Sequence, residues 1–158
     1  MTSKTVLRLP SANGSLDSYA LSQARAFPDR QTGRMSRIAF SAAHVVADPL
    51  AECDPWLTCA VDWDRTIAFR EYLWDLGLGV AEAMDTAQRG MGLDWPNSLE
   101  LIRRSVAAGK ARNGLVFSGA GTDHLPENAP STNDEVIAAY EHQISDICLL
   151  YTSDAADE

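Results

Sequence analysis

The chain has 158 residues, enough for one domain with a sizeable hydrophobic core. Its hydrophobic content of 46% and charged content of 22% are typical of a globular protein in water, and no stretch approaches the roughly 20 apolar residues that span a bilayer. A formal net charge of -9, with 13 dispersed basic residues, argues against a surface for nucleic acid or anionic membranes. The first residues have no apolar signal-peptide core, so we expect a cytoplasmic protein.

The first elements in chain order are predicted to form a β-hairpin. Residues 5–9 and 16–21 flank a turn at Asn13 and Gly14, a pair that accepts the positive φ of a tight turn at little cost. Residues 22–34, with proline, glycine and mixed charges, are typical of a linker. We therefore assign residues 1–34 to an N-terminal hairpin arm with its linker.

Three strand–helix units are predicted in residues 35–147. The first strand lies near residues 37–45, and the proline-containing loop after it is of the kind that carries binding residues. The first helix begins at the N-cap Asp62 and ends at Gly77, which supplies a left-handed turn. Its predicted inward stripe is Phe69, Leu73 and Leu76.

The second and third units repeat this order. The second strand is residues 80–84, and Asp94 is the N-cap of a helix predicted to end at Gly109. The third strand is residues 115–118, and Thr132 and Glu135 form a capping box for the third helix. Their predicted apolar stripes are Leu99, Ile102 and Val106 on one helix, and Val136, Tyr140 and Ile144 on the other. Strands alternating with helices indicate right-handed βαβ units and a parallel sheet.

The last residues, 148–158 (CLLYTSDAADE), break the pattern, because the third helix has met no stop signal when they begin. The string resembles a sequencing-library adapter translated in frame. We expect an artefactual tail that packs against nothing specific, and a natural protein that continues beyond Ile147. The alternative is a disordered acidic terminus.

The block of residues 61–105 resembles the second-strand region of the dihydrodipicolinate synthase/N-acetylneuraminate lyase superfamily. Further similarities are Val61-Asp62-Trp63, Gly77, and the glycines of GAGTD after the third strand. That run, together with AEAMDTAQRGMGLDWP, is most similar to an uncharacterised bacterial branch, domain-of-unknown-function family 993. The resemblance implies an α/β fold, namely the first three βα units of an aldolase-type TIM (β/α)8 barrel.

Enzymes of that superfamily form a Schiff base between a 2-oxo acid and a lysine on the sixth strand. The resemblance implies a full-length parent that is a lyase acting on a small oxo-acid-like substrate, without a cofactor; a homo-oligomeric parent is left open. The only lysines here, Lys4 and Lys110, lie in the arm and in a helix-to-strand turn. We therefore expect this fragment to be inactive and, with an open sheet edge and exposed apolar faces, to aggregate or be molten.

The loop after the second strand is the candidate substrate site, because barrel enzymes work at the C-terminal ends of their strands. The family pattern Gly-Thr-Thr-Gly-Glu aligns with residues 85–89, where only Thr86 matches. Arg89 is predicted to clamp a carboxylate bidentately; the alternative is an exposed Arg89 paired with Asp94 or Asp85. The predicted substrate-binding residues are Asp85, Thr86, Gln88, Arg89 and Asp123.

Other interpretations stay open. His44 is an acid–base candidate or a structural histidine, and Glu82, inside a strand, needs a partner such as Arg37. His44, Glu82, Asp123 and His124 are alternatively the ligands of a divalent metal in a metal-dependent lyase or isomerase, although no helical ligand spacing supports this. A third interpretation is a non-catalytic relative used for binding.

The three cysteines, Cys53, Cys59 and Cys148, have neither zinc-site spacing nor the number of a disulfide framework. We expect them to be free thiols.

Overall fold

The structure is a computed structural model that describes residues 5–23, 36–54, 57–84, 87, 89–90, 92–126 and 132–152. By its internal contacts the chain divides into two units, Met1–Gln31 and Thr32–Glu158.

The first unit contains the predicted β-hairpin. β1 (Val6–Pro10) pairs antiparallel with β2 (Leu16–Ala20), with Val6 opposite Ala20 and Pro10 opposite Leu16. In the turn Gly14 has φ +81°, a value that favours glycine. The side chain of Asn13 accepts a hydrogen bond from the backbone N–H of Ser15 at 3.0 Å. The turn chemistry read from the sequence is therefore present in the structure.

The second unit is built on a parallel three-stranded sheet. β3 (Phe40–Ala42), β4 (Gly79–Glu82) and β5 (Val116–Ser118) lie side by side in that order. Both pairs are parallel, with Ser41 opposite Val80 and Val80 opposite Val116. The first strand is shorter than predicted, because the residues after Ala42 bond to side chains of the first helix instead of continuing the ladder. The N–H of Val46, for example, donates to the hydroxyl of Thr66 at 2.9 Å.

Three helices alternate with these strands, and each begins at the cap predicted for it. They are α1 (Trp63–Asp75), α2 (Trp95–Arg112) and α3 (Asn133–Thr152). Asp62 accepts from Arg65 N at 3.0 Å, and Asp94 accepts from Asn97 N at 3.0 Å. Thr132 N donates to the Glu135 carboxylate at 2.7 Å, and Glu135 N donates back to the Thr132 hydroxyl at 3.3 Å. The mixed α/β class with parallel strands is confirmed. Within the described residues, no helix has the length and apolar character needed to cross a bilayer.

The predicted end of α2 at Gly109 is wrong. The helix continues to Arg112 and is capped by Asn113 in the left-handed region, with φ +55°. Gly109 is buried where α2 meets β5, and a Cβ on it would lie 2.9 Å from Cγ2 of Val116. The glycine is therefore required for close helix–strand packing.

The helices pack on one face of the sheet and leave the other face open. The core side includes Ala43, Leu73, Trp74 and Val80 in one cluster, and Leu93, Leu101, Ile102, Val106 and Ile147 in another. On the opposite face the rings of Phe40 and Phe117 lie 4.8 Å apart, and both residues are exposed. Parallel sheets are ordinarily covered on both faces, so this face is unusual in its apolar exposure.

The buried face of α3 differs from the predicted stripe. Ala139, Gln143 and Ile147 are buried, whereas Tyr140 and Ile144 are 43% and 50% exposed. A search for apolar periodicity favours the wrong face, because the central buried residue is a glutamine.

The helix also continues into the predicted artefactual tail. The hydroxyl of Tyr151 donates to the carbonyl of Val116 at 3.1 Å and lies 3.0 Å from Oγ of Ser118. Burial raises the pKa of the Tyr151 phenol, so the hydroxyl keeps its proton for these bonds. The expectation that the tail packs against nothing specific is therefore wrong for residues 148–152; residues 153–158 lie outside the described part of the chain.

Candidate functional site

A cleft of about 440 Å³ opens at the carboxyl ends of β4 and β5. It is lined by Met84, Arg89, Gly119, Ala120, Gly121, Thr122 and Asp123. Ligands of open parallel sheets bind at this edge. Two of the predicted substrate-binding residues, Arg89 and Asp123, line the cleft, so we take it as the candidate site.

Arg89 forms one wall of the cleft, and its five N–H groups all have acceptors within the chain. Nε and Nη2 donate to Oδ1 of Asp123 at 3.0 and 2.6 Å, and Nη2 also donates to Oε1 of Gln143. Nη1 donates to the carbonyl of Ala83 at 3.1 Å and to the carbonyl of Gly119. Because Ala83 follows β4 and Gly119 follows β5, the guanidinium joins the ends of two neighbouring strands.

The environment of Arg89 excludes one of the two roles that the sequence left open, a binding residue or an exposed loop residue. Its side chain is only 7% exposed and pairs with Asp123, so it is not an exposed loop residue paired with Asp94. Its guanidinium carbon lies 4.8 Å from the ring centroid of Trp95, the first residue of α2. The arginine is therefore fixed between the strand ends and the start of the following helix.

Gln143 of α3 completes the cluster, and the sequence reasoning missed it. Its Oε1 accepts from the N–H of Gly121 at 2.7 Å as well as from Arg89, and its Nε2 donates to Oδ1 of Asp123 at 3.1 Å. Nε2 also lies 2.7 Å from Nδ1 of His124. With the amide oriented by the other contacts, Gln143 Nε2 is the donor and Nδ1 of His124 is the acceptor. The sequence signal that could have identified Gln143 was its spacing, because it lies four residues from both Ala139 and Ile147 and so shares one helical face with these two apolar residues.

The charges of this cluster balance each other. Burial alone would raise the pKa of Asp123, but hydrogen bonds from Arg89 and Gln143 outweigh it, so the pKa lies below its ordinary value. Asp123 is therefore ionised at neutral pH, and the Arg89–Asp123 pair contributes no net charge to the cleft.

The glycines after β5 let the loop lie close to this cluster. A Cβ on Gly121 would be 3.2 Å from Oδ1 of Asp123 and 3.4 Å from Nη2 of Arg89. A Cβ on Gly119 would be 3.2 Å from Cγ of Met84. Side chains here would fill the cleft or displace the ion pair.

Glu82 belongs to a separate, fully buried network. Nε and Nη2 of Arg70 donate to its two carboxylate oxygens at 2.9 Å each, and the hydroxyl of Ser105 donates to Oε2. The prediction of Arg37 as its partner is wrong. The cation comes from the buried face of α1, where an apolar stripe was expected.

The four residues of the metal hypothesis are not brought together. The ring of His44 is exposed and stacks on Phe69, with centroids 5.7 Å apart, while both oxygens of Glu82 are bonded within the buried network. His124 contacts Gln143. Across the described ranges, no three His, Cys, Asp or Glu residues form a group that could hold a metal ion.

Three predicted binding residues, Asp85, Thr86 and Gln88, lie outside the described residues. Their roles stay predictions.

Fold and site together define a parallel α/β protein with a small-molecule-sized cleft at the carboxyl edge of its sheet. The chain belongs to the family DUF993, described as a protein of unknown function, whose model matches residues 7–151. The predicted membership of this family is confirmed, and the match extends through Tyr151. No curated protein matches the sequence.

Proposed function

We propose that this chain is the N-terminal part of an aldolase-type (β/α)8 barrel related to the dihydrodipicolinate synthase superfamily. Three features support the proposal: the strands are parallel, consecutive strands are neighbours, and helices cover one face only. The remaining face carries Phe40 and Phe117, as expected for an arc of barrel wall whose interior needs further strands.

The proposed activity of the longer parent is that of a carbon–carbon or carbon–oxygen lyase on a small oxo-acid-like substrate. The observation that carries it is the almost fully buried Arg89, which faces a carboxylate acceptor in the cleft. A 2-oxo acid presents the same acceptor as the side chain of Asp123. In the proposal, the substrate carboxylate takes the place of Asp123 on the guanidinium, where bidentate recognition favours arginine over lysine.

The Schiff-base lysine of this activity would come from the remainder of the barrel. Lys110 lies in the last turn of α2, which leads into the start of β5 and so lies opposite the cleft. Condensation of a lysine amine with the keto carbon releases water and gives an iminium that accepts the electron pair of the cleaved bond. The residues of this chain would bind and orient the substrate.

The first test is borohydride reduction of the longer gene product in the presence of pyruvate. We expect a covalent adduct on one lysine and loss of activity, with no adduct on the 158-residue chain. If the longer product is not modified by borohydride and loses its activity when a chelator is added, the Schiff-base proposal is overturned in favour of a metal-dependent lyase.

The second test addresses the cleft in the longer product. Arg89→Ala should weaken substrate binding more than Thr86→Val, because a charge-assisted hydrogen bond is worth about 1.5–3 kcal/mol and a neutral one about 0.5–1.5. Asp123→Asn should lower KM, because an amide competes less well for the guanidinium. Arg103→Ala, on the outer surface of α2, is the matched control and should change nothing. Wild-type kcat and KM in the Arg89 and Thr86 variants would show that the site is wrong.

A further inference from the structure

The loop that follows β3 is closed at its base. Asp48 N donates to the carbonyl of Ala60 at 3.0 Å, and Asp62 N donates to the carbonyl of Val46 at 2.9 Å. Ala47 and Val61 form an antiparallel bridge between these bonds. The two ends of this segment are therefore held together, and Cys53 and Cys59 lie between them in the sequence.

The two loop cysteines share one cleft. A cavity of about 250 Å³ has both Cys53 and Cys59 in its wall, with Val45, Val61 and Leu93 as apolar neighbours. Both cysteines are free and half-buried. A cavity of this volume is accessible to a small neutral oxidant.

One backbone hydrogen bond links the neighbours of these two cysteines. The carbonyl of Asp54, next to Cys53, accepts from the N–H of Thr58, next to Cys59, at 2.9 Å. The sulfur of Cys53 lies 3.9 Å from the carbonyl oxygen of Thr58, the residue joined directly to Cys59. This contact brings the first sulfur to the backbone that carries the second thiol.

The surroundings of the Cys59 thiol disfavour its thiolate. Burial raises the pKa of the Cys59 thiol, and the nearby charges of Asp94 and Cys53 raise it further. The thiolate is the nucleophile in oxidation. The raised pKa of Cys59 therefore argues against Cys59 as the first thiol to attack an oxidant.

We propose that Cys53 and Cys59 form a redox-active dithiol whose oxidant is hydrogen peroxide, which is small enough to enter the cleft. The Cys53 thiolate attacks the peroxide, the O–O bond breaks, and a sulfenic acid forms with release of water after proton uptake. The Cys59 sulfur then attacks the Cys53 sulfur, the S–S bond forms, and the sulfenic oxygen leaves as a second water. Two thiols and one hydrogen peroxide become one disulfide and two waters. This inference is independent of the proposed lyase activity.

The experiment uses the chain with Cys148→Ser, which removes the exposed thiol on α3, and with Phe40→Thr/Phe117→Thr, which removes the two rings exposed on the sheet face. Hydrogen peroxide is added, remaining thiols are alkylated, and the intact mass and the linked peptides are measured. We expect a mass lower by two hydrogen atoms, no alkylation, a Cys53–Cys59 linked peptide, and reversal by dithiothreitol. Alkylation of both thiols after peroxide, or disulfides only between chains, would overturn the proposal.

Two comparisons separate a site formed by the fold from two cysteines that are merely close in sequence. The disulfide should form faster in the folded chain than in urea, and an equal or slower folded rate would overturn the role of the loop. In the same chain, Cys59→Ser should leave a dimedone-reactive sulfenic acid on Cys53. The absence of that adduct would overturn Cys53 as the attacking thiol.

Discussion

The open face of the β3–β4–β5 sheet should make the isolated chain self-associate. Phe117 is 59% exposed and Phe40 is 37% exposed. With about 200 Å² for a phenylalanine side chain, they leave roughly 120 and 75 Å² of apolar surface in water, and covering these areas is worth roughly 3 and 2 kcal/mol at ~25 cal/mol per Å². The sum of about 5 kcal/mol corresponds to three to four orders of magnitude in an association constant.

The perturbation is the double substitution Phe40→Thr/Phe117→Thr, which removes the rings and introduces β-branched residues suited to strands. Sedimentation velocity and binding of an apolar dye are measured over a range of concentrations. We expect the unmodified chain to form oligomers or aggregates and to bind the dye, and the double variant to sediment as a monomer with little dye bound.

Leu50→Thr is the matched control, because Leu50 is 88% exposed but lies in the loop after β3 and not on the sheet face. An unmodified chain that is monomeric and binds no dye would refute the reasoning, and so would equal improvement by Leu50→Thr. The double variant also provides the soluble background in which the stabilities below are compared.

Three further predictions concern stability. Arg70→Met should lower the free energy of unfolding in urea by about 3–5 kcal/mol, because Glu82 stays buried without its cation. Adding Glu82→Leu should recover part of this loss. If the losses caused by the two single substitutions simply added in the double variant, the pairing would be contradicted. The pKa of Asp123 is lowered in the folded state. Its ionised carboxylate therefore contributes fully to the free energy of unfolding above the ordinary carboxyl pKa of about 4, and this contribution is lost as pH falls through the lower folded value. Asp123→Asn should make stability depend less on pH on the acid side, and an unchanged slope would contradict this prediction. Tyr151→Phe should lower the free energy of unfolding by about 1 kcal/mol, because it removes the hydrogen bond to the carbonyl of Val116. Tyr140→Phe, on the exposed face of α3, should leave the free energy of unfolding unchanged. Equal effects of the two substitutions would contradict specific packing of residues 148–152.

Features that depend on neighbouring residues were predicted well. The caps at Asp62, Asp94 and Thr132 need only a side chain and a backbone N–H three positions away, and the structure has all three. Glycine has two uses that look alike in the sequence. Gly77, with φ +81°, follows the end of α1 as predicted, whereas Gly109 lies inside α2 because Val116 leaves no room for a Cβ.

Features that depend on long-range pairing were predicted only in part. Arg89 and Asp123 were placed in one site because each follows a strand of the same parallel sheet, and they do meet. Their pairing with each other and with Gln143 depends on how α3 packs, which apolar periodicity does not reveal. The same limit explains Arg70, since a charged residue on a buried helical face is excluded from an apolar stripe until its partner Glu82 is known.

Two arginines join the ends of adjacent strands at the edge of the sheet where the candidate site lies. Arg70 donates to the carbonyl of His44 beyond β3 and to Glu82 at the end of β4, and Arg89 donates to carbonyls beyond β4 and β5. Each guanidinium links two adjacent strands beyond the last backbone hydrogen bond between them. A guanidinium suits this linking role because its N–H donors point in different directions within one fixed plane. At the opposite end of the sheet, Arg112 instead forms partly exposed pairs, with 44% of its side chain in solvent. Buried ion pairs are costly to desolvate, and this chain places them at the edge where parallel sheets bind ligands. The strand ends are therefore fixed before a ligand arrives, and the exchange of the Asp123 carboxylate for a substrate carboxylate on Arg89 is the main rearrangement that the proposed binding requires.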